Sequence, residues 1–325
     1  MASFPNPSAT SRQAEQLAAA GRAPEAILLL NQAGAAGDAE ALFTLAMWRM
    51  TGRHMPCDLA ASRDLFRRAG TAGHGRAGRI HTNLLAAGVG GPVDWPGALR
   101  RLEAQAGSGG DGPRQLALIR AMQLAPDGAP QQVPPAEPLS AEPQVSRFSA
   151  LFTAAECDYL IEAAEPRLQP SMIIEEGSGR RMPDPVRTSD GAAFPWLVLD
   201  PAIAALNRRI AAVSGTRTAQ AESLLVLRYR PGQQYRPHLD AIAGRGNRRI
   251  LTVIVYLNDD YAGGETHFPK AGLTVHGRRG DALMFRNVLA DGRPDPLSQH
   301  AGLPVTHGTK FIASRWIWQD DLVAA

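Results

Sequence analysis

His238, Asp240, His300 and Lys310 follow one another in the last third of a 325-residue chain, and their types suit a metal site with an anchor for an acid beside it. In the triplet His238-Leu239-Asp240, read as part of a strand, side chains alternate and positions two apart share a face. Both can then grip one ion. His300, 60 residues after Asp240, completes two imidazoles and one carboxylate, the facial set that leaves coordination positions open on non-haem Fe(II). Lys310 comes ten residues later, and it is one of only two lysines among 34 basic residues, the other being Lys270. A lysine is unusual in a chain that otherwise uses arginine. Alternation along the last strand places Lys310, Ile312, Ser314 and Trp316 on one face. The rival histidines His267, His276 and His307 lack this spacing and read as structural or solvent-facing.

The elements that must position these residues are mostly strands. Ser223 to Tyr229, Ile250 to Leu257, Asp281 to Phe285 and Lys310 to Trp318 are strand-like runs divided by glycine and proline turns. Pro231-Gly232 turns the chain into the strand carrying His238. Ahead of them, Thr153-Ala154-Ala155-Glu156 is a capping-box pattern that opens a helix. Asp200-Pro201 starts another, with Ile203, Leu206, Ile210 and Val213 on one face and Gly215 after it. This order predicts an antiparallel barrel or jelly roll with helices on one side. Between the helices, a polar stretch runs from Glu176-Gly177-Ser178-Gly179 through Pro183-Asp184-Pro185 to Val186-Arg187-Thr188-Ser189, and it reads as a loop, of a kind that often covers active sites but more commonly only connects elements.

The first 124 residues have a different pattern. Landmarks recur every 36 residues: Gly37-Asp38 is matched by Gly73-His74 and Gly109-Gly110, Thr51-Gly52 by Ala87-Gly88, and Pro56-Cys57-Asp58 by Pro92-Val93-Asp94. Ala39 to Met50 and Leu59 to Ala69 both carry apolar residues at helical spacing around the turn Gly52 to Pro56. Each unit is a helix hairpin that must stack on neighbours to bury its apolar face. Through Ala39 to Ala46, Gly52 and Arg67-Arg68-Ala69-Gly70-Thr71-Ala72-Gly73-His74 the stretch resembles the Sel-one-like relatives of tetratricopeptide repeats, with Ser62 where that family usually has alanine. The resemblance implies a protein or peptide docking surface, and a packing scaffold for the other domain is the alternative. His54, His74 and His81 have no partners at ligand spacing and read as surface or packing residues.

From Ala125 to Val145 six prolines accumulate, which predicts an extended, semi-rigid spacer between two domains. The net charge of +3 gives nucleic-acid binding no support. No segment has the length and apolarity of a membrane span, and the start of the chain lacks a basic-then-apolar leader. Cys57 and Cys157 form no C-x-x-C motif or disulfide framework, so a reducing, cytoplasmic setting is expected. Cys157 shares a helical face with Leu160, Ile161 and Ala164 and reads as core.

The run Tyr229-Arg230-Pro231-Gly232-Gln233-Gln234-Tyr235-Arg236-Pro237-His238-Leu239-Asp240 closely resembles prolyl 4-hydroxylases of the Fe(II)/2-oxoglutarate-dependent oxygenase superfamily. Further matches are Thr252 to Asn258-Asp259, Gly263-Gly264-Glu265-Thr266, Phe268-Pro269, Gly280-Asp281-Ala282-Leu283, Phe285, and His300-Ala301-Gly302 through Gly308 to Lys310. The resemblance implies a multidomain protein: helical repeats over 1–124, a proline-rich linker over 125–145, and a double-stranded β-helix (jelly roll) dioxygenase domain with flanking helices over 146–325. It implies Fe(II) on His238, Asp240 and His300. It also implies 2-oxoglutarate with its distal carboxylate on Lys310, a phenolic hydrogen bond from Tyr229 and Thr252 lining the pocket, together with O₂ and ascorbate as reductant. The implied reaction hydroxylates a prolyl residue in a peptide or protein and releases succinate and CO₂. Retention of Asp240 implies hydroxylation rather than halogenation. Implied substrate contacts are Tyr235, Arg187, Arg249 and Trp316, with the repeats recruiting the protein substrate. Two alternatives stay open: a hydroxylase of a free amino acid or other small molecule, and a non-catalytic repeat adaptor.

Overall fold

The computed structural model describes residues 8–107, 111–174, 180–242 and 246–322. Its first part is helical: α1 (Ala9–Ala19), α2 (Ala23–Ala35), α3 (Ala39–Thr51), α4 (Leu59–Thr71), α5 (Gly75–Ala87), α6 (Trp95–Ala106) and α7 (Gly112–Ala121). The sequence period is literal in the backbone, since α5 begins 36 residues after α3 and α6 begins 36 after α4. Asp38, Asp58, His74 and Asp94 cap α3 to α6 through their side chains, accepting N–H groups that a helix start leaves unpaired. Gly52 and Gly88 end α3 and α5 at φ 70° and 73°, a left-handed conformation that glycine adopts without a Cβ clash. Ser62 is fully buried and donates to the Ala46 carbonyl at 2.8 Å. Its hydroxyl is thus satisfied and the hairpin stays tightly packed. His74 joins two units: its Nδ1 caps α5, its Nε2 meets Glu40 at 2.9 Å, and its ring stacks on Phe43 at 4.3 Å. Gly109-Gly110 and the Glu176 to Gly179 stretch lie outside the described residues.

The second part adds α8 (Ala154–Ala164), which opens with the expected reciprocal Thr153–Glu156 capping box, and α9 (Pro201–Ser214), which ends at Gly215. Its strands are β1 (Glu137–Ser140), β2 (Val145–Phe148), β3 (Gln169–Pro170), β4 (Met172–Ile174), β5 (Arg181–Pro183), β6 (Asp190–Phe194), β7 (Leu224–Tyr229) and β8 (Tyr235–His238). They continue with β9 (Arg249–Tyr256), β10 (Ala262–Gly263), β11 (Thr266–Phe268), β12 (Leu273–Val275), β13 (Ala282–Arg286), β14 (His300–Gly302), β15 (Val305–His307) and β16 (Lys310–Trp318). An eight-stranded antiparallel sheet, ordered β1-β2-β13-β9-β16-β7-β6-β3, packs against a four-stranded sheet, β12-β11-β14-β8. This is a jelly roll.

Alternation sorts the large sheet into two buried faces. Leu227, Tyr229, Ile254, Tyr256, Leu283, Phe285 and Ile312 point inward against Phe268 and Val275 of the small sheet. The intervening residues, including Val226, Val253, Val255, Ala313 and Ile317, face outward onto Cys157 and Leu160 of α8 and Ile203, Leu206 and Ile210 of α9. Burial pushes the Cys157 thiol up to about 12, consistent with an inert core residue. The same cluster takes in Ala86, Trp95, Leu116 and Ile119 from the helical array. Arg208 of α9 lies over the Trp95 ring at 4.9 Å and donates to the carbonyls of Ala86 and Asp127.

The proline-rich stretch is not the spacer its composition suggests. Leu124 bridges to Pro130, and Glu137–Ser140 becomes β1, paired to β2. β1 is the outermost strand, where a proline such as Pro138 does not interrupt a ladder on both sides. The helical array and the jelly roll therefore share one core instead of being held apart. No helix among the described residues is long and apolar enough to cross a membrane.

Candidate metal centre

β8 and β14 are antiparallel neighbours in which His238 and His300 stand directly opposite. Opposed side chains in such a pair are in contact, and the two ring centroids lie 4.3 Å apart. β8 ends at His238, so Asp240 sits in the bend beyond it and not on the strand expected for the triplet. A different device aims its carboxylate. Thr252 of β9 donates to Asp240 Oδ2 at 2.7 Å, and Asn287 Nδ2 donates to the Thr252 hydroxyl at 2.9 Å. All three of these residues are buried. His238 Nε2 lies 3.5 Å from Asp240 Oδ1 and His300 Nε2 lies 3.7 Å from Oδ2. One ligand atom from each residue falls within 4.8 Å of the others.

The hydrogen bonds also set the proton positions. His238 Nδ1 meets the Arg236 carbonyl at 2.8 Å and His300 Nδ1 meets the Ser298 carbonyl at 3.1 Å. A carbonyl only accepts, so each Nδ1 donates to its carbonyl and each Nε2 is the ring atom turned toward Asp240. Burial lowers the His300 imidazole to about 4, which keeps it neutral at physiological pH. Burial alone would raise the Asp240 carboxyl, but His300, His238 and the Thr252 hydroxyl outweigh it and hold the group well below the usual carboxylate range. Two imidazoles and one carboxylate, without a thiolate, fit Fe(II) with positions left open.

Lys310 opens β16 opposite Tyr229 of β7, facing into the barrel. It is 3% exposed. Its ammonium donates to the Gly264 carbonyl and sits 5.5 to 5.9 Å from the ring centroids of Tyr256, Tyr229 and Tyr261. A Cβ at position 264 would come within 3.1 Å of the Lys310 side chain, and Gly264 has φ 71°. Glycine there lets the ammonium reach the backbone. Burial lowers Lys310 to about 8, partly opposed by Glu265. An ammonium has three protons to donate, and here one carbonyl and three aromatic faces receive them. A buried cation in such a setting favours an incoming carboxylate. Burial also raises the Tyr229 phenol, which keeps it a proton donor, and Ser189 is its hydrogen-bond neighbour.

The four remaining sequence-derived residues form two pairs. Tyr235 stacks on His238 with centroids 3.5 Å apart, and the Arg187 guanidinium lies 5.5 Å from the Tyr235 ring. Arg249 lies 4.8 Å from the Trp316 ring and pairs with Glu222 at 2.6 Å. Trp316 stands opposite Thr252, and its indole N–H is buried without a partner among the described residues. Asn287 and Glu222 are the positioning residues that the motifs do not reveal. The only sequence trace of Asn287 is an asparagine directly after the apolar strand β13. His267 pairs with Thr274 at 2.9 Å, while His276 and His307 are exposed.

The family described as the 2OG-Fe(II) oxygenase superfamily matches residues 224–318. Prolyl 4-hydroxylase 1 of Arabidopsis thaliana is 36% identical over 202 residues, covering 56% of this chain and 71% of that protein. A solved viral collagen prolyl hydroxylase from Paramecium Bursaria Chlorella virus-1, in its 2OG complex, aligns over 54% of this chain and 95% of its own. Its sequence identity is 25% and its TM-score 0.43. A Sel1 repeat protein from Oxalobacter formigenes aligns over 30% of this chain and 29% of its own, at 27% identity and a TM-score of 0.28.

Proposed function

The chain belongs to the prolyl 4-hydroxylases of the 2OG-Fe(II) oxygenase superfamily, and from that premise we propose that it hydroxylates a prolyl residue in a peptide or protein. Fe(II), 2-oxoglutarate and O₂ are its cofactor and co-substrates, and succinate and CO₂ its by-products. The observation that carries this reading is the convergence of the His238 and His300 Nε2 atoms on the Asp240 carboxylate, in the same barrel as a buried lysine with no carboxylate partner among the described residues. When bound, iron and the keto acid together supply the oxidation of an unactivated C–H bond.

In this proposal His238, Asp240 and His300 hold the iron. Thr252 and Asn287 fix the Asp240 carboxylate, while the Arg236 and Ser298 carbonyls keep both imidazoles in the tautomer that leaves Nε2 free. Lys310 takes the distal carboxylate of 2-oxoglutarate, with a second hydrogen bond from the Tyr229 phenol. Tyr235, Arg187, Arg249 and Trp316 orient the substrate, the unpartnered Trp316 N–H being a ready donor. A protein substrate is favoured over a small one by an exposed apolar rim, Met172, Ile173, Val186 and Leu239. Backbone bonds from Arg236 to Val186 and from Asp184 to Ser171 tie that rim to β8. The free thiols of Cys57 and Cys157 support a reducing, cytoplasmic setting.

The test is succinate release by the full chain with Fe(II), 2-oxoglutarate and ascorbate, together with mass spectrometry for one added oxygen on prolyl peptides and on counterparts with alanine for proline. Oxygen gained only by the prolyl peptides is expected, and Asp240→Ala should abolish it. Turnover retained in Asp240→Ala would overturn the ligand assignment, and turnover of free amino acids alone would replace the peptide reading.

A further inference from the structure

The helical array contains a second concave site. Helices α4, α5 and α6 border an open cleft of about 630 Å³, within the roughly 300–1,000 Å³ typical of ligand pockets. Four guanidinium groups line it, from Arg63, Arg67, Arg100 and Arg101, against the two carboxylates of Asp64 and Asp94. Both carboxylates are engaged: Asp64 pairs with Arg67 at 2.7 Å, and Asp94 accepts from the Gly97 N–H as the cap of α6. Arg63 spends one donor on the Pro92 carbonyl at 2.9 Å. Arg63, Arg100 and Arg101 form no ion pair among the described residues.

Among the described residues, two buried atoms in the lining lack partners. They are Arg101 Nε and His81 Nδ1, and His81 is only 6% exposed. Burial and the surrounding Arg101, Arg63 and Arg67 lower His81 to about 4, so the cleft holds its positive potential on arginines around a neutral imidazole.

We propose that this cleft binds an acidic segment of the protein substrate, a run of aspartate or glutamate side chains separate from the stretch that reaches His238. The proposal rests on the peptide-hydroxylase reading above. Guanidinium forks match carboxylates in bidentate geometry, and three of the four arginines form no ion pair among the described residues. A nucleic-acid strand fits less well, because Asp64 and Asp94 interrupt the continuous positive track that a phosphate backbone follows. The cleft also shares packing with the domain that carries the metal centre: Leu85 lines it and belongs to the core shared with α9 and the large sheet. A segment held there raises the effective concentration of a neighbouring prolyl stretch at the iron site.

The test measures binding to the full chain by fluorescence anisotropy, using an oligoglutamate peptide and its oligoglutamine counterpart, with Arg100→Glu and Arg101→Gln as variants. Arg100 is exposed, so its substitution leaves the helix packing intact. The glutamate peptide should bind about tenfold tighter or better than the glutamine peptide, and each variant should remove most of that difference. In turnover, the kcat/KM advantage of a prolyl peptide bearing an acidic tract over one bearing a glutamine tract should collapse toward unity in the variants. Equal affinity for the two peptides, or affinity unchanged in both variants, overturns the proposal. So does a single-stranded oligonucleotide that displaces oligoglutamate and binds more tightly. The anisotropy needs neither iron nor 2-oxoglutarate. Binding without prolyl turnover would therefore reject the hydroxylase reading alone, and turnover without binding would reject the cleft assignment alone.

Discussion

Replacing Lys310 with methionine separates what the residue does for the fold from what it does for the co-substrate. A fall from the ordinary 10.5 to about 8 means that the folded interior opposes the ammonium by about 3 kcal/mol. Because the folded value lies below the unfolded one, that penalty is full below about pH 8 and fades as pH rises toward 10.5. Methionine keeps the length of the side chain and removes the charge. Lys310→Met should therefore be the more stable protein at neutral pH, and its advantage over wild type should shrink between pH 8 and 10.5. Its affinity for 2-oxoglutarate should move the other way. Leaving one partner of a buried pair uncompensated costs about 3–5 kcal/mol, which is roughly two to three and a half powers of ten in KM for 2-oxoglutarate. Urea unfolding across the pH window and succinate release against 2-oxoglutarate concentration measure the two effects. A KM change below about tenfold, or a variant less stable than wild type at pH 7, would refute the reasoning.

Other outcomes follow from the same geometry. In the wild type, kcat/KM for 2-oxoglutarate should fall about tenfold per pH unit above roughly pH 8 as Lys310 loses its proton, and pH-rate profiles of Lys310→Met should lack that limb. Thr252→Val removes the hydroxyl that holds Asp240 Oδ2, so iron affinity measured by chelator competition should drop by about 10–100-fold; unchanged affinity would mean that Asp240 keeps its place without Thr252. His74→Ala takes away the cap of α5 and the contacts with Glu40 and Phe43. It should cost about 1 kcal/mol, visible as a lower urea midpoint.

The long strands of the large sheet were legible because both of their faces are buried. β7, β9, β13 and β16 are nearly continuous apolar runs bounded by turns, and their expected extents lie within a residue or two of the observed ones. The small sheet was legible only at β8, through the Pro231-Gly232 turn ahead of it and the His238 triplet. β8 and β14 have four and three residues, include Pro237 and Gly302, and devote their inward positions to His238 and His300 instead of to core. Such strands have no hydrophobic period to read. β1 was hidden by its prolines, which suit an edge strand as well as a linker. At the site, the metal-ligand types and Lys310 were legible from spacing and rarity. The Asn287–Thr252–Asp240 chain was not, because it joins residues from three separate elements and depends on hydrogen bonds that leave no periodic trace.

The core that α5, α6 and α7 share with α9 has a consequence for the order in which the protein is made. The array leaves the ribosome first, and its inner apolar face, with Trp95 and Leu116, stays unfilled until residues 201–214 have been synthesised and α9 can dock. During that interval the array is sticky, and the later half cannot cover its own helix without it. A chain cut near residue 124 would thus produce two fragments, each exposing half of one interior. The shared core predicts that the repeats act as a folding partner of the jelly roll, besides any binding surface they present.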